Sequence, residues 1–185
     1  NDTKIITNNW LETIISNCQR EEIGAIGAKL IYKNKRIQHA GVVLNLTGTA
    51  GHVNWNEKEN NPGYFGRIMI QQNVSAVTGA LLGVSKKIFE QVNGFDETFP
   101  IAYNDVDFCL KIQDIGKLIT YNPYIEAFHY ESQSRGYEDT EEKQKRLKKE
   151  ENKLKKKWKK YFDVTDKYYS PNLRTDVPNM RIKFN

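Results

Sequence analysis

Only two cysteines, Cys18 and Cys109, occur in 185 residues, far apart and each within a helix-like pattern. That spacing excludes a disulfide framework and a zinc ribbon, and leaves reduced core thiols as the expectation. No apolar run approaches the roughly 20 residues that a membrane-spanning helix needs. The opening residues also lack the charged-then-apolar order of a secretory leader, so a soluble, cytoplasmic setting is expected. Excess positive charge is absent from most of the chain: residues 143–160 hold eleven Lys or Arg against two Glu, while the remainder is slightly acidic despite a net charge of +5. A binder that coats its whole surface with nucleic acid is thereby excluded, and no nucleic-acid partner is expected.

What is present suits one domain, or a large piece of one, with enough apolar residues for a core. Trp10, Leu11, Ile14 and Ile15 recur at helical spacing behind Asn8 or Asn9 as a cap, which predicts a first, structural helix. Residues 24–32 read as a buried strand, turned by Asn34 into a second strand over 37–44. His39 falls within that hairpin, where a satisfied core imidazole is the expectation. Residues 45–67, punctuated by Gly48, Gly51, Pro62 and Gly63, read as a long loop. It carries His52 and Trp55, an aromatic placed either to stack on a sugar face or to pin its own loop.

Residues 74–85 form an apolar strand interrupted by Thr78-Gly79-Ala80, where small residues leave room for a bulge or for a ligand lying on the backbone. Ser85 caps a short helix to Val92, which Asn93-Gly94 ends. A further helix over 103–115 has Asn104 or Asp105 as its natural cap, and a carboxylate there is favoured by the helix dipole. Asp107 cannot share the face of Asp105 and is expected to support the structure or to bind from another side. Two short strands, 117–122 and 125–129, flank Pro123, so that His129 stands at a strand's carboxyl end, where ligands of α/β sheets gather. Residues 138–162 predict a basic amphipathic helix with a seam of Leu147, Leu154, Trp158 and Phe162. A solvated helix is the first reading, and contact with an anionic membrane surface is the alternative. Residues 163–185 are expected as a coil tail.

Between Thr78 and Gly136 the chain thus gathers acids, one imidazole and one guanidinium among glycines, a layout for a polar ligand with a metal. The order of Gly94-Phe95-Asp96-Glu97, then Asn104-Asp105 opening a helix, then His129 with Ser134-Arg135-Gly136 behind it, resembles the catalytic half of the family 2 glycosyltransferases of the GT-A fold. The likeness is greatest to the bacterial enzymes that build surface polysaccharide and O-antigen. It continues through residues 72–79 and 168–173, and so covers most of the chain.

The resemblance implies an α/β fold: the C-terminal, acceptor-side half of a GT-A-like mixed-sheet sandwich over residues 1–137, followed by the basic helix. It implies inverting transfer of a sugar from a nucleotide-diphosphate sugar to the hydroxyl of a saccharide or lipid-linked saccharide, with Mn2+ or Mg2+ as cofactor. Asp105 matches the general base, although Asn104 stands where many relatives have Glu. Thr78, Gly79, Ala80, Asp96, Glu97, Asn104 and Arg135 fall around donor and acceptor, Arg135 paired with phosphate oxygens. Asp2 and His129 match metal-ligand positions. Because Asn1-Asp2-Thr3 matches the turn that closes the nucleotide-binding half, the resemblance also implies that this half, roughly 100 residues, precedes Asn1. Two other readings stand beside this one: a carbohydrate- or nucleotide-sugar-binding module without turnover, and a basic interaction module acting through residues 143–160.

Overall fold

The computed structural model describes residues 2–130 and 140–184. At its centre lie two parallel strands, β2 (Ile23–Ile31) and β8 (Leu118–His129). All nine positions of β2 are buried, as a strand covered on both faces requires. The outer edge of β8 pairs antiparallel with β6 (Gln72–Val74) along its first half and with β1 (Thr3–Ile5) along its last. Likewise the outer edge of β2 takes β7 (Leu82–Val84) and then β3 (Ile37–His39). The result is a six-stranded mixed sheet, and the expected α/β class is the observed one.

Helix α1 (Trp10–Cys18) packs over Ile26, Ala28 and Leu30 of β2. Ala25 instead joins the larger core beneath α3 (Asn104–Asp114), with α2 (Lys86–Gln91) beside it. Alternate residues of one strand thus feed opposite layers. Cys109 is buried in that larger core and Cys18 is half-buried beside α1's own cluster, both unpaired.

Several sequence expectations change. The two strands around Pro123 are one: pairing runs from Ala28 with Asn122 directly to Lys29 with Glu126, so residues 123–125 form a bulge. Proline is tolerated there because a bulged residue owes the ladder no N–H. The bulge also inverts the strand, putting Ile119 and Tyr121 in one core and Ile125 and Ala127 in the other.

The expected strand over 37–44 breaks at Gly41, whose φ of 98° favours glycine. Val42–Leu44 (β4) then leaves to pair with Ala50–His52 (β5) in a second, two-stranded sheet inside the supposed long loop. Residues 74–85 are not one strand either, since β6 and β7 sit on opposite edges of the sheet. The segment between them crosses the sheet's face, and Gly27 admits it: a Cβ there would meet Val77 at 2.4 Å. This crossing sets down Thr78-Gly79-Ala80.

The basic helix is α4 (Glu141–Lys157), capped by Thr140 and followed, after a break at Trp158, by α5 (Lys159–Phe162). Its expected start at Glu138 lies outside the described residues. Among the described residues the tail beyond it has no helix or ladder strand, yet it is more than surface coil. Tyr169, Leu173 and Met180 build a buried cluster with Val43, Leu46 and Val53, and Asp166 accepts the Leu44 N–H at 2.7 Å.

Helix α4 docks through packing and charge together: Leu154 and Trp158 enter the larger core, Lys157 pairs with Asp96 and Asp107, and Thr49 donates to Glu151. Within the helix Lys148 and Lys155 pair with Glu151, and Lys160 of α5 pairs with Asp114. Much of the basic segment is therefore neutralised within the fold, and membrane contact would rest on fewer cations, exposed Lys149 and Lys156 among them. Among the described residues no helix is long and apolar enough to cross a membrane.

Lys157, and then Thr98, hold the Asp96 carboxyl well below the usual carboxylate range. Lys155, Thr49 and Lys148 bring Glu151 down to about 2. Both acids take up protons less readily when folded than when unfolded. Their stabilisation is therefore fully present above an unfolded value of about 4 and is lost as pH falls through the folded values. Melting followed by circular dichroism should show a transition temperature that drops progressively between roughly pH 5 and pH 2. A flat profile across that window would remove these pairs from the account of how α4 is held.

Candidate functional site

A cleft of about 860 Å3 opens beyond the carboxyl ends of β2 and β8. This is where the crevice of an α/β sheet collects ligands, because chain crossings leave the strand ends uncovered. Of the residues singled out in the sequence, Asp2, Thr78, Gly79, Ala80, Asn104, Asp105 and His129 all line it. Asp96 and Glu97 do not: Asp96 accepts from the Thr98 amide at 3.0 Å and from Lys157 at 2.8 Å, and so serves the docking of α4. Arg135, with Glu131, Ser132 and Gly136, lies outside the described residues.

Local structure explains the placement of Asp105. The N-cap of α3 is neither Asn104 nor Asp105 but Tyr103, in the left-handed region at φ 62° and with no side-chain cap. A bulky residue there costs on the order of 1–3 kcal/mol, and such strain persists where the surroundings impose it. Here the preceding Ala102 N–H is tied to the buried Glu150 of α4 at 2.7 Å. Asp105 thus falls in the first turn. Its Oδ2 accepts the Gly79 N–H at 2.9 Å and its Oδ1 the Val106 N–H at 2.8 Å. Two backbone donors fix the carboxylate, and each oxygen keeps a lone pair for a ligand's hydrogen.

The opposite wall is built by strand pairing. Thr3 faces His129 in the β1–β8 register, which sets Asp2 beside the imidazole, with Oδ1 and Nε2 3.5 Å apart. Thr3 Oγ1 donates to the Ala80 carbonyl at 3.3 Å, joining this wall to the Thr78–Ala80 segment that holds Asp105. Gln38 of β3 lies 2.8 Å from His129 Nδ1 through Oε1. That oxygen can only accept, so Nδ1 carries a proton and Nε2 is the nitrogen turned toward Asp2.

A carboxylate oxygen and an imidazole nitrogen facing each other at 3.5 Å suit a shared proton or a cation. Among the described residues no group of three or more His, Cys, Asp or Glu side chains could hold a metal ion. One carboxylate and one imidazole do fit a divalent ion that draws its remaining oxygens from phosphate and water. They do not fit an ion caged by protein alone.

The cleft holds further residues that the sequence reading missed. Gln38 and Tyr32 were passed over, and Lys143, Arg146 and Leu147 bring the first turns of α4 to its rim. The signal for the last three was present: positions i, i+3 and i+4 share one helical face, and that face carries two cations beside an apolar residue. Asp107, by contrast, is wholly buried away from the cleft, accepting from Trp158 Nε1 at 2.7 Å and lying 2.6 Å from Lys157 Nζ.

Fold and cleft together define an α/β protein with a polar site at its strand ends, walled by acids and an imidazole and rimmed with cations. No protein-family model matches the chain. It is similar to two bacterial proteins. One is the uncharacterized protein y4gI of Sinorhizobium fredii, 42% identical over 149 residues, which are 80% of this chain and 16% of that protein. The other is the O-antigen biosynthesis protein RfbC of Myxococcus xanthus, 36% identical over 138 residues, which are 73% of this chain and 11% of that protein. The chain therefore spans only a small part of the length of these relatives.

Proposed function

We propose that this chain forms the acceptor side of a sugar-transfer site in bacterial polysaccharide synthesis, using a nucleotide-diphosphate sugar as donor and a saccharide or lipid-linked saccharide as acceptor. The observation that carries this reading is the convergence of Asp105 with the Asp2–His129 pair on one cleft at the strand ends. The similarity to an O-antigen biosynthesis protein supports the substrate class.

In this reading Asp105 takes the proton of the acceptor hydroxyl as that oxygen attacks the anomeric carbon. The bond from that carbon to the donor's phosphate oxygen breaks, its electron pair stays on the diphosphate, and a single displacement inverts the centre. Gly79 N–H keeps the base from swinging, and the small side chain of Ala80 leaves space beside it. Lys143 and Arg146 at the rim favour an anionic ligand. Asp2 and His129 would hold Mn2+ or Mg2+, which when bound supplies charge neutralisation for the departing diphosphate.

Titration calorimetry of nucleotide-diphosphate sugars against the longest natural form of the protein tests the reading. Binding is expected with Mn2+ and weaker by about 10–100-fold without it or after His129→Ala, the usual range for damage to a metal site. Binding that ignores both changes would overturn the metal role. Absence of binding by any such donor would overturn the reading as a whole.

A further inference from the structure

Trp55 is half exposed, at 51%, yet it is not loosely held. Its indole Nε1–H donates to the Tyr32 hydroxyl at 3.0 Å, so the ring's orientation is set. On either side of it Asn54 and Asn56 adopt left-handed backbone, φ 53° and 65°, which asparagine accepts more readily than other side chains. Asn54 N–H is fixed to the Pro178 carbonyl and Asn56 N–H to the Ile37 carbonyl, each at 2.8 Å. A large aromatic raised on a doubly pinned loop, with its one polar hydrogen already used, offers the cleft a rigid face.

His52 lines the same cleft and is set by a second imidazole. The Gly41 N–H donates to Nε2 of the fully buried His39 at 3.3 Å, so a neutral His39 carries its proton on Nδ1. Burial, and then the neighbouring His52, push the His39 pKa well below its ordinary value, so the ring is neutral. Its Nδ1–H reaches His52 Nδ1 at 3.0 Å, which leaves His52 with its proton on Nε2. A charged His52 would set two N–H groups against each other. Trp55, His52, Tyr32 and Gln38 all line the cleft already described. The loop bearing Trp55 is bonded to Ile37, the residue before the Gln38 that orients His129.

We propose that Trp55 and His52, with Tyr32 behind them, form a pyranose-binding subsite. A sugar ring presents polarised C–H bonds on one face and hydroxyls around its edge. The first match the electron-rich face of a fixed indole, and the second match the polar side chains that line the same cleft. Uncharged saccharide is therefore the ligand class, through a sugar belonging to the acceptor or to the donor. The inference rests on the sugar-transfer reading for the ring's role in reaction, but not for its binding.

Saturation-transfer NMR with methyl glycosides of glucose, galactose, mannose, rhamnose and N-acetylglucosamine tests it on the 185-residue chain, without metal or nucleotide. At least one glycoside is expected to bind, Trp55→Ala to weaken it about tenfold or more, and Trp55→Tyr, which keeps a ring, to weaken it less. Displacement by a nucleotide-diphosphate sugar assigns the subsite to the donor, and persistence beside it assigns the subsite to the acceptor. The proposal is overturned if no glycoside binds, if uridine alone occupies the Trp55 face, or if Trp55→Ala binds like the parent at an unchanged melting temperature. The readout needs neither donor nor turnover, so failure of catalysis and failure of the subsite are told apart.

Discussion

Replacing Asp105 with Asn is expected to lower sugar transfer by about 10²- to 10⁴-fold, the usual weight of a positioned general base. The amide is nearly isosteric and can keep its oxygen on the Gly79 N–H, now 2.9 Å from Oδ2, while giving up the bond from the Val106 N–H, so the turn that carries it should stay folded at a cost of about 1 kcal/mol. What is lost is the anionic oxygen that receives the acceptor's proton. Donor affinity should therefore hold while kcat falls, because the group is used only as the hydroxyl attacks. A radiolabelled-donor assay with the longest natural form of the protein reads the rate, and calorimetry reads the binding. Unchanged turnover would remove Asp105 from the chemistry. A matched loss of donor binding would recast it as a residue that shapes the cleft.

The largest effect on stability is expected two residues further on. Asp107→Ala should cost on the order of 3–5 kcal/mol, the range for removing one partner of a buried ion pair. At zero exposure Asp107 accepts from Trp158 Nε1 and meets Lys157, both at the end of α4, with Lys111 3.8 Å away. Burial opposes the Lys157 charge, but the hydrogen bonds it donates to Asp107 and Asp96 outweigh it and raise its pKa overall. Truncation would leave a half-covered ammonium and an indole N–H without their acceptor. For a chain of this size the melting temperature should fall by on the order of 10 °C. Asp107→Asn, which keeps an acceptor for Trp158 but not the charge, should lose less. A drop of only a degree or two in the alanine variant would mean that Leu154 and Trp158 dock α4 by packing alone.

These neighbouring acids show how much a sequence can say about a site. Helical spacing separated Asp105 from Asp107 before any coordinates, since positions two apart cannot share a face. It could not say which face looked onto a cleft and which onto Trp158, fifty-one residues away. Asp96 went astray for the same reason: a carboxylate in a loop reads alike whether it meets a ligand or, as here, Lys157. The cap of α3 was misread because Asn and Asp are the common choices. Tertiary contacts from Glu150 to Ala102 instead hold Tyr103 in a conformation that local preference would refuse.

What the sequence determined by itself is what short-range physics controls. Helices α1, α2 and α3 and the strand nature of residues 24–32, 117–122 and 125–129 follow from periodicity and from where glycine and proline fall, while the mixed α/β class was implied by the resemblance to a known family. Only the tertiary structure decided that Pro123 marks a bulge within one strand, that residues 75–81 cross the sheet over Gly27, and that Trp55 and His52 stand near Gln38 and His129. Strand partners and cleft neighbours are chosen by burial summed over residues distant in the chain, and no local window of sequence contains that sum.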